Sequence, residues 1–171
     1  IDFLQNFTAA GAKGPDVVAL QEEVARRIAA VKPDALVEYM SLYGGIAQHR
    51  FCTHVRATDC PGDAAFNRLQ TANLRLCCGH RAVHSDMVTW DDAETPEKAA
   101  LQIISVLHSV VQYGRSLASL TKDHARMLAH WTRFCRTHRE TLLKGSFRPQ
   151  GYMQGYPVIE MESRAERIIT V

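Results

Sequence analysis

Arg56-Ala57-Thr58-Asp59-Cys60-Pro61-Gly62-Asp63 is the stretch on which the fold reading turns. Pro61-Gly62 marks a tight turn, and Asp63 stands directly ahead of an amphipathic run through Asn67-Arg68-Leu69. Phe51 to Val55, before it, reads as a strand. The order is therefore strand, acidic loop, helix, with Asp59 delivered to the C-terminal end of its strand. A barrel of parallel strands places its catalytic groups at such ends.

Working outward, Ile1 to Leu4 reads as a strand carrying one carboxylate, Asp2, near its C-terminal end. Val17, Leu20, Val24, Ala25, Ile28 and Val31 recur at helical spacing between Pro15 and Pro33. Ala35 to Tyr39 is expected as a short strand, broken by Gly44-Gly45. The helix after Gly62 is expected to bury Phe66, Leu69, Asn73, Leu76 and Cys77. Arg81 to His84 follows as a strand, and Thr95-Pro96 supplies an N-cap and a first helical position. Ala99, Ala100, Ile103, Ile104, Leu107 and Val111 then mark a buried helical face. A strand at Gly114 to Leu117 and one long helix from Thr121 to Lys144 complete the alternation. Strands alternating with helices imply an α/β fold with parallel βα units.

Composition is that of a soluble globular protein: 46% hydrophobic, 22% charged, net charge +2. Twenty Lys and Arg against eighteen Asp and Glu, scattered along the chain, give no basic face for nucleic acid. The apolar runs are far short of the roughly 18 to 20 residues that span a bilayer, so no membrane partner is expected. Five cysteines without scaffold spacing fit a reducing compartment, and the cytoplasm is the expected location. The opening in mid-strand reads as part of a longer polypeptide.

Two carboxylates at two strand ends suggest glycosidic bond cleavage. Together with Ala82-Val83-His84-Ser85-Asp86-Met87 and the run from Phe134 through His138-Arg139 to Gly145, the motif order resembles the α-galactosidases (melibiases) of glycoside hydrolase family 36. The likeness runs from Ile1 to about Phe147. It implies the C-terminal part of a (β/α)8 TIM barrel, from about the fourth strand to the eighth helix, over residues 1–148. It also implies that residues 149–171, with strand patterns at Tyr156 to Met161 and Arg167 to Val171, begin an antiparallel β-sandwich domain.

The resemblance further implies a retaining double displacement on an α-linked galactoside, or on another α-linked sugar, with no cofactor. It maps the nucleophile to Asp2 and the general acid/base to Asp59, with Asp63 as second choice because this loop carries an extra residue and a Pro. Such a donor must hold a proton that the nucleophile does not, which burial and a neighbouring negative charge can arrange. Asp63 also suits a plain helix cap. Arg68 matches an arginine of the same family motif. Glu38, Gly44 and Gly45 match a sugar-contacting segment in which Met40 and Ile46 replace the family's Cys and Arg. That departure bears on the sugar chosen more than on the mechanism. Arg50 or Arg56 is a candidate replacement for the missing arginine, and either could serve instead as a structural partner of Asp59. His84, Asp86 and Trp90 are candidate substrate contacts, with packing in the barrel wall as the plainer reading for His84 and Trp90. Trp131 and His138 are expected to pack.

No metal site is expected, since His80-x3-His84 and Cys77-Cys78 straddle a helix end, a turn and a strand. A second reading takes the chain as an inactive part that folds only with the remaining half of the barrel. The partners expected are thus an α-glycoside and that remaining half, with homo-oligomerisation left open.

Overall fold

The computed structural model describes residues 14–40, 48–79 and 81–171. Helices and strands are interleaved up to Lys144: α1 (Gly14–Val31), β1 (Glu38–Met40), β2 (His54–Arg56), α2 (Ala64–Cys77), β3 (Ala82–Val88), α3 (Pro96–Ser105), β4 (Val110–Tyr113), α4 (Lys122–Thr137) and α5 (Arg139–Lys144). Three further strands close the chain: β5 (Ser146–Gln150), β6 (Val158–Glu162) and β7 (Arg167–Thr170). The strand expected at Ile1 to Leu4 lies outside the described residues.

The strands β1-β2-β3-β4 form one parallel sheet in sequence order. Parallel neighbours need a crossover segment between them, and α2 and α3 supply two of these. Val55 pairs with Val83 in register. Both are buried beside Leu74 of α2, Cys52, Ala57 and Cys78, so the odd-numbered positions of these strands face the helices. Their alternates, His54, Arg56 and His84, face the opposite side together with Glu38 and Met40 of β1. The sheet thus has one apolar, helix-covered face and one polar face.

The larger core joins α2, α3, α4 and α5 to the C-terminal sheet through Ala72, Ile103, Leu128, Leu142, Ile159 and Met161. β5-β6-β7 is antiparallel throughout. Pro149 is accommodated there because β5 is an edge strand. A buried and a half-buried arginine tie α2 to this sheet and to the segments before it. Arg68 donates to the carbonyl oxygens of Tyr156 (2.7 Å), Pro157 (3.2 Å) and Thr170 (3.3 Å). Arg75 donates to those of His108 (2.6 Å) and Gly145 (3.2 Å) and to Leu142, and lies over the Phe147 ring.

Several elements differ from expectation. β2 starts later than Phe51, because Gln48–Phe51 closes a 3-10 turn first. β4 occupies Val110–Tyr113, not Gly114 to Leu117, so α3 ends at Ser105 and Val111 is a strand residue. The apolar pair Val106-Leu107 misleads the period, since it fills the core after the helix has stopped. The long helix breaks at His138, which ends α4 and precedes α5. On α2 the buried face is Asn67, Arg68, Thr71, Ala72 and Leu74, whereas Phe66 and Leu76 are exposed. Periodicity of apolar residues selects Leu69, which packs against the core, and misses the rest because the true face is mostly polar and satisfied by hydrogen bonds. β5, starting at Ser146, has no counterpart in the sequence reading.

Candidate functional site

The loop from Ala57 to Asp63 leaves the C-terminal end of β2 and is held at every turn. Cys60 to Asp63 closes a turn with an Asp63 N–H to Cys60 carbonyl bond of 3.1 Å. Gly62 sits at φ +80°, a left-handed conformation that glycine takes without strain, and Pro61 restricts the residue before it. Gln70 of α2 accepts from Thr58 N–H at 2.9 Å and donates to the Thr58 carbonyl at 3.3 Å. Asp63 caps α2 by accepting Phe66 N–H at 2.8 Å, so the acid/base alternative has a structural task already.

Asp86 governs the loop from β3. Its side chain is fully buried; one oxygen accepts from Arg56 at 3.0 Å and the other from Cys60 N–H at 2.6 Å. Asn67 fixes the Asp86 backbone in both directions, at 3.0 and 3.1 Å. Asp86 is therefore not a substrate contact: both oxygens are engaged inside the protein. It positions the segment that carries Asp59.

Asp59 projects from this loop with its side chain 73% exposed and accepts from Arg56 at 2.8 Å. Among the described residues nothing buries it, so the enclosure expected of a proton donor is not supplied here. Arg56 is the hub of the face. It reaches Asp59, Asp86 and, through Nε, Glu38 at 3.3 Å, and its Nη2 lies 3.4 Å from Met40 Sδ. Burial works against its charge, but the hydrogen bond and charge of Asp59, with Asp86 and Glu38, more than offset this and hold its pKa above the ordinary arginine value. Of the two arginine candidates, Arg56 is at the site. Arg50 is not: it precedes β2, at the opposite strand end from Asp59, and its partners are Glu22 (3.4 Å) and the Phe51 ring.

Glu38 and His84 lie on the polar face. Glu38 Oε2 is 3.1 Å from His54 Nε2, 3.5 Å from His84 Nδ1 and 3.2 Å from Gln112 Nε2. The His54 and His84 rings lie 4.3 Å apart. Burial, then His54, lowers the His84 pKa against the opposing pull of Glu38. Sequence inspection gives no sign of this group, because residues 16 and 30 positions apart meet only through strand register. The sequence reading weighs only His80, His84, Cys77 and Cys78 as ligands, whereas in the described residues Glu38, His54 and His84 present donor atoms within 4.8 Å of one another.

Trp90 is 4% exposed in the core beside His124, which removes it from any sugar-stacking role. His138 packs on Phe134 and pairs with Glu166 at 2.7 Å. Asp2, Gly44 and Gly45 lie outside the described residues. The cysteines in the described residues are free, and burial, followed by the charges of Asp86 and Asp63, pushes the Cys60 thiol up to about 12, leaving it unreactive. No helix among the described residues is long and apolar enough to cross a membrane.

Comparison with protein-family models, with curated proteins and with solved structures found no match to the chain.

Proposed function

We propose that the chain carries the acid/base side of a retaining α-glycoside hydrolase, with an α-galactoside as first-choice substrate and other α-linked sugars as the alternative. The observation that carries the reading is the clamped loop at the end of β2, which presents Asp59 above a polar sheet face lined by Glu38, Arg56 and His84. Four parallel strands in sequence order, with helices joining the later ones, suit a sector of a (β/α)8 barrel, whose reacting groups gather at C-terminal strand ends.

In this reading Asp2 attacks the anomeric carbon and Asp59 gives its proton to the departing glycosidic oxygen. Asp59 is then a carboxylate, and Arg56 stabilises that form until it takes a proton from the attacking water. Glu38 and Arg56 supply hydrogen-bonding groups for sugar hydroxyls, with Met40 narrowing the space beside them. The test is to express the complete polypeptide and assay it on a panel of p-nitrophenyl α- and β-glycosides. Turnover of an α-galactoside supports the reading in full, and turnover of another α-sugar alone assigns the difference to Met40 and its neighbours. Silence on every glycoside from a folded protein ends it.

One observation favours the second reading for these 171 residues by themselves. β1 and β4 are both edge strands among the described residues, and Val31 and Leu36 beside β1 are 89% and 82% exposed. Open edges and uncovered apolar groups call for further strands. The chain alone is then silent and gains activity only when the rest of the barrel is supplied.

A further inference from the structure

The polar face holds a chemistry beyond the proton transfers of the proposed hydrolysis, and it shares Glu38 with the sugar contacts named there. Glu38, His54 and His84 come from three adjacent strands, and their partners limit the proton positions around them. Thr53 Oγ1 accepts Val37 N–H at 2.9 Å and lies 3.0 Å from the Val37 carbonyl. The Val37 carbonyl also accepts Thr53 N–H at 2.9 Å, so the hydroxyl proton is free to point to it or to His54 Nδ1, 2.9 Å away, and Thr53 Oγ1 can serve that nitrogen as donor or as acceptor. With the proton on Nε2, His54 donates to Glu38 Oε2 at 3.1 Å; with the proton on Nδ1, held by Thr53 Oγ1, the Nε2 lone pair faces that oxygen and is open to a cation.

Gln112 fixes the other ring. A carboxylate only accepts, so the Gln112 amide nitrogen donates to Glu38 Oε2 at 3.2 Å, and its second hydrogen reaches His84 Nδ1, also at 3.2 Å. His84 Nδ1 is therefore a lone pair, 3.5 Å from the same carboxylate oxygen. With His54 protonated on Nδ1, three acceptors lie within 4.8 Å of one another. Gln112 covers part of this group, and a divalent ion would take the place of the proton that otherwise bridges His54 Nε2 and Glu38 Oε2.

We propose that Glu38, His54 and His84 form a binding site for a divalent first-row transition ion, for which Zn²⁺ is the test case. Two imidazole nitrogens and one carboxylate oxygen are a donor set that suits such ions. Three protein ligands leave a position for water or a substrate oxygen. Thr53 orients His54 from behind, as groups bonded to the far nitrogen of a ligating histidine do. Arg56 opposes a cation here, but it meets the other Glu38 oxygen, Oε1, and its charge is shared with Asp59 and Asp86. The ion is joined to the Asp59 loop through that arginine. The proposal goes beyond the hydrolase reading and stands or falls separately from it.

The experiment is a calorimetric titration of the chelator-treated full chain with Zn²⁺, with Co²⁺ absorption as a check on ligand type. One equivalent is expected, with a Co²⁺ spectrum free of thiolate bands. His54→Ala and His84→Ala should each weaken binding more than about 100-fold and Thr53→Val about tenfold, while Cys78→Ala leaves it unchanged. Should the histidine variants not fold, imidazole nitrogen NMR on the wild-type chain replaces them: Zn²⁺ should shift His54 Nε2 and His84 Nδ1. No binding by the folded chain, or binding that leaves both of these nitrogens unmoved, overturns the proposal.

Discussion

The Asp86 carboxylate accepts the Cys60 backbone N–H at 2.6 Å, so a buried side chain on β3 sets the course of a loop that leaves β2. The same carboxylate holds Arg56 at 3.0 Å. Loop and arginine, the two supports of Asp59, therefore depend on one residue. Asp86→Ala would leave the Arg56 charge and the Cys60 N–H without this partner, and is expected to destabilise the chain by about 3–5 kcal/mol, as loss of one member of a buried pair does. Urea unfolding measures this; a loss below about 1 kcal/mol would show that the contact contributes little.

Asp59 and Asp63 separate by substitution in the complete polypeptide. Asp59→Ala is expected to lower kcat by about 10²–10⁴ on a substrate with a poor leaving group, as removal of a general acid does. Asp63→Ala should leave kcat near wild type and cost about 1 kcal/mol of stability through loss of the α2 cap. The reverse pattern would move the acid/base role to Asp63.

Arg68 reaches three carbonyl oxygens that belong to the C-terminal segment. Lysine cannot reproduce that fork, so Arg68→Lys should destabilise by about 2–3 kcal/mol. Amide exchange in β6 and β7 should quicken more than in β2 and β3. Uniform quickening would show instead that the two sheets unfold as one unit.

The pH dependence of stability carries the signatures of His108 and Glu166, with the lowered pKa of His84 acting in the same direction as that of His108. His108 is fully buried, with Nε2 2.9 Å from Thr71 Oγ1, and burial followed by the charges of Arg75 and Arg68 holds its pKa well below the ordinary value of 6.5. Below pH 6.5 the unfolded chain takes up a proton that the folded chain refuses, so stability is full above that pH and falls as acid is added. Glu166 adds to the fall at lower pH: its hydrogen bond from Thr141, with help from His138, lowers its pKa below 4.5, and that contribution vanishes as pH drops through the folded value. Thermal unfolding between about pH 7.5 and 5 should show the first decline, and His108→Phe should flatten it; an unchanged slope in that variant would assign the decline elsewhere.

Local signals in the sequence are read correctly where one or two residues determine the geometry. Asp63 ahead of α2 and Thr95-Pro96 ahead of α3 cap as their residue types require. Two of the three antiparallel strands, β6 and β7, are visible in the sequence pattern near the C-terminus. Periodicity fails where burial is polar: α2 hides Asn67, Arg68 and Thr71, which no count of apolar residues selects. It also fails at Val106-Leu107, apolar residues that continue the α3 stripe after the helix has ended. Asp86 and Trp90 are candidates for substrate contact because they follow a strand, yet only the fold shows both to be buried. The Glu38, His54 and His84 group is invisible because parallel register, not spacing, brings it together.

The most direct test of the central claim is the stereochemistry of the first sugar released. The complete polypeptide, incubated with a p-nitrophenyl α-galactoside in an NMR tube, is predicted to show the α-anomer of galactose first, with the β-anomer growing in only at the rate of mutarotation. Initial release of the β-anomer would mean a single inverting displacement and would contradict the roles given to Asp2 and Asp59.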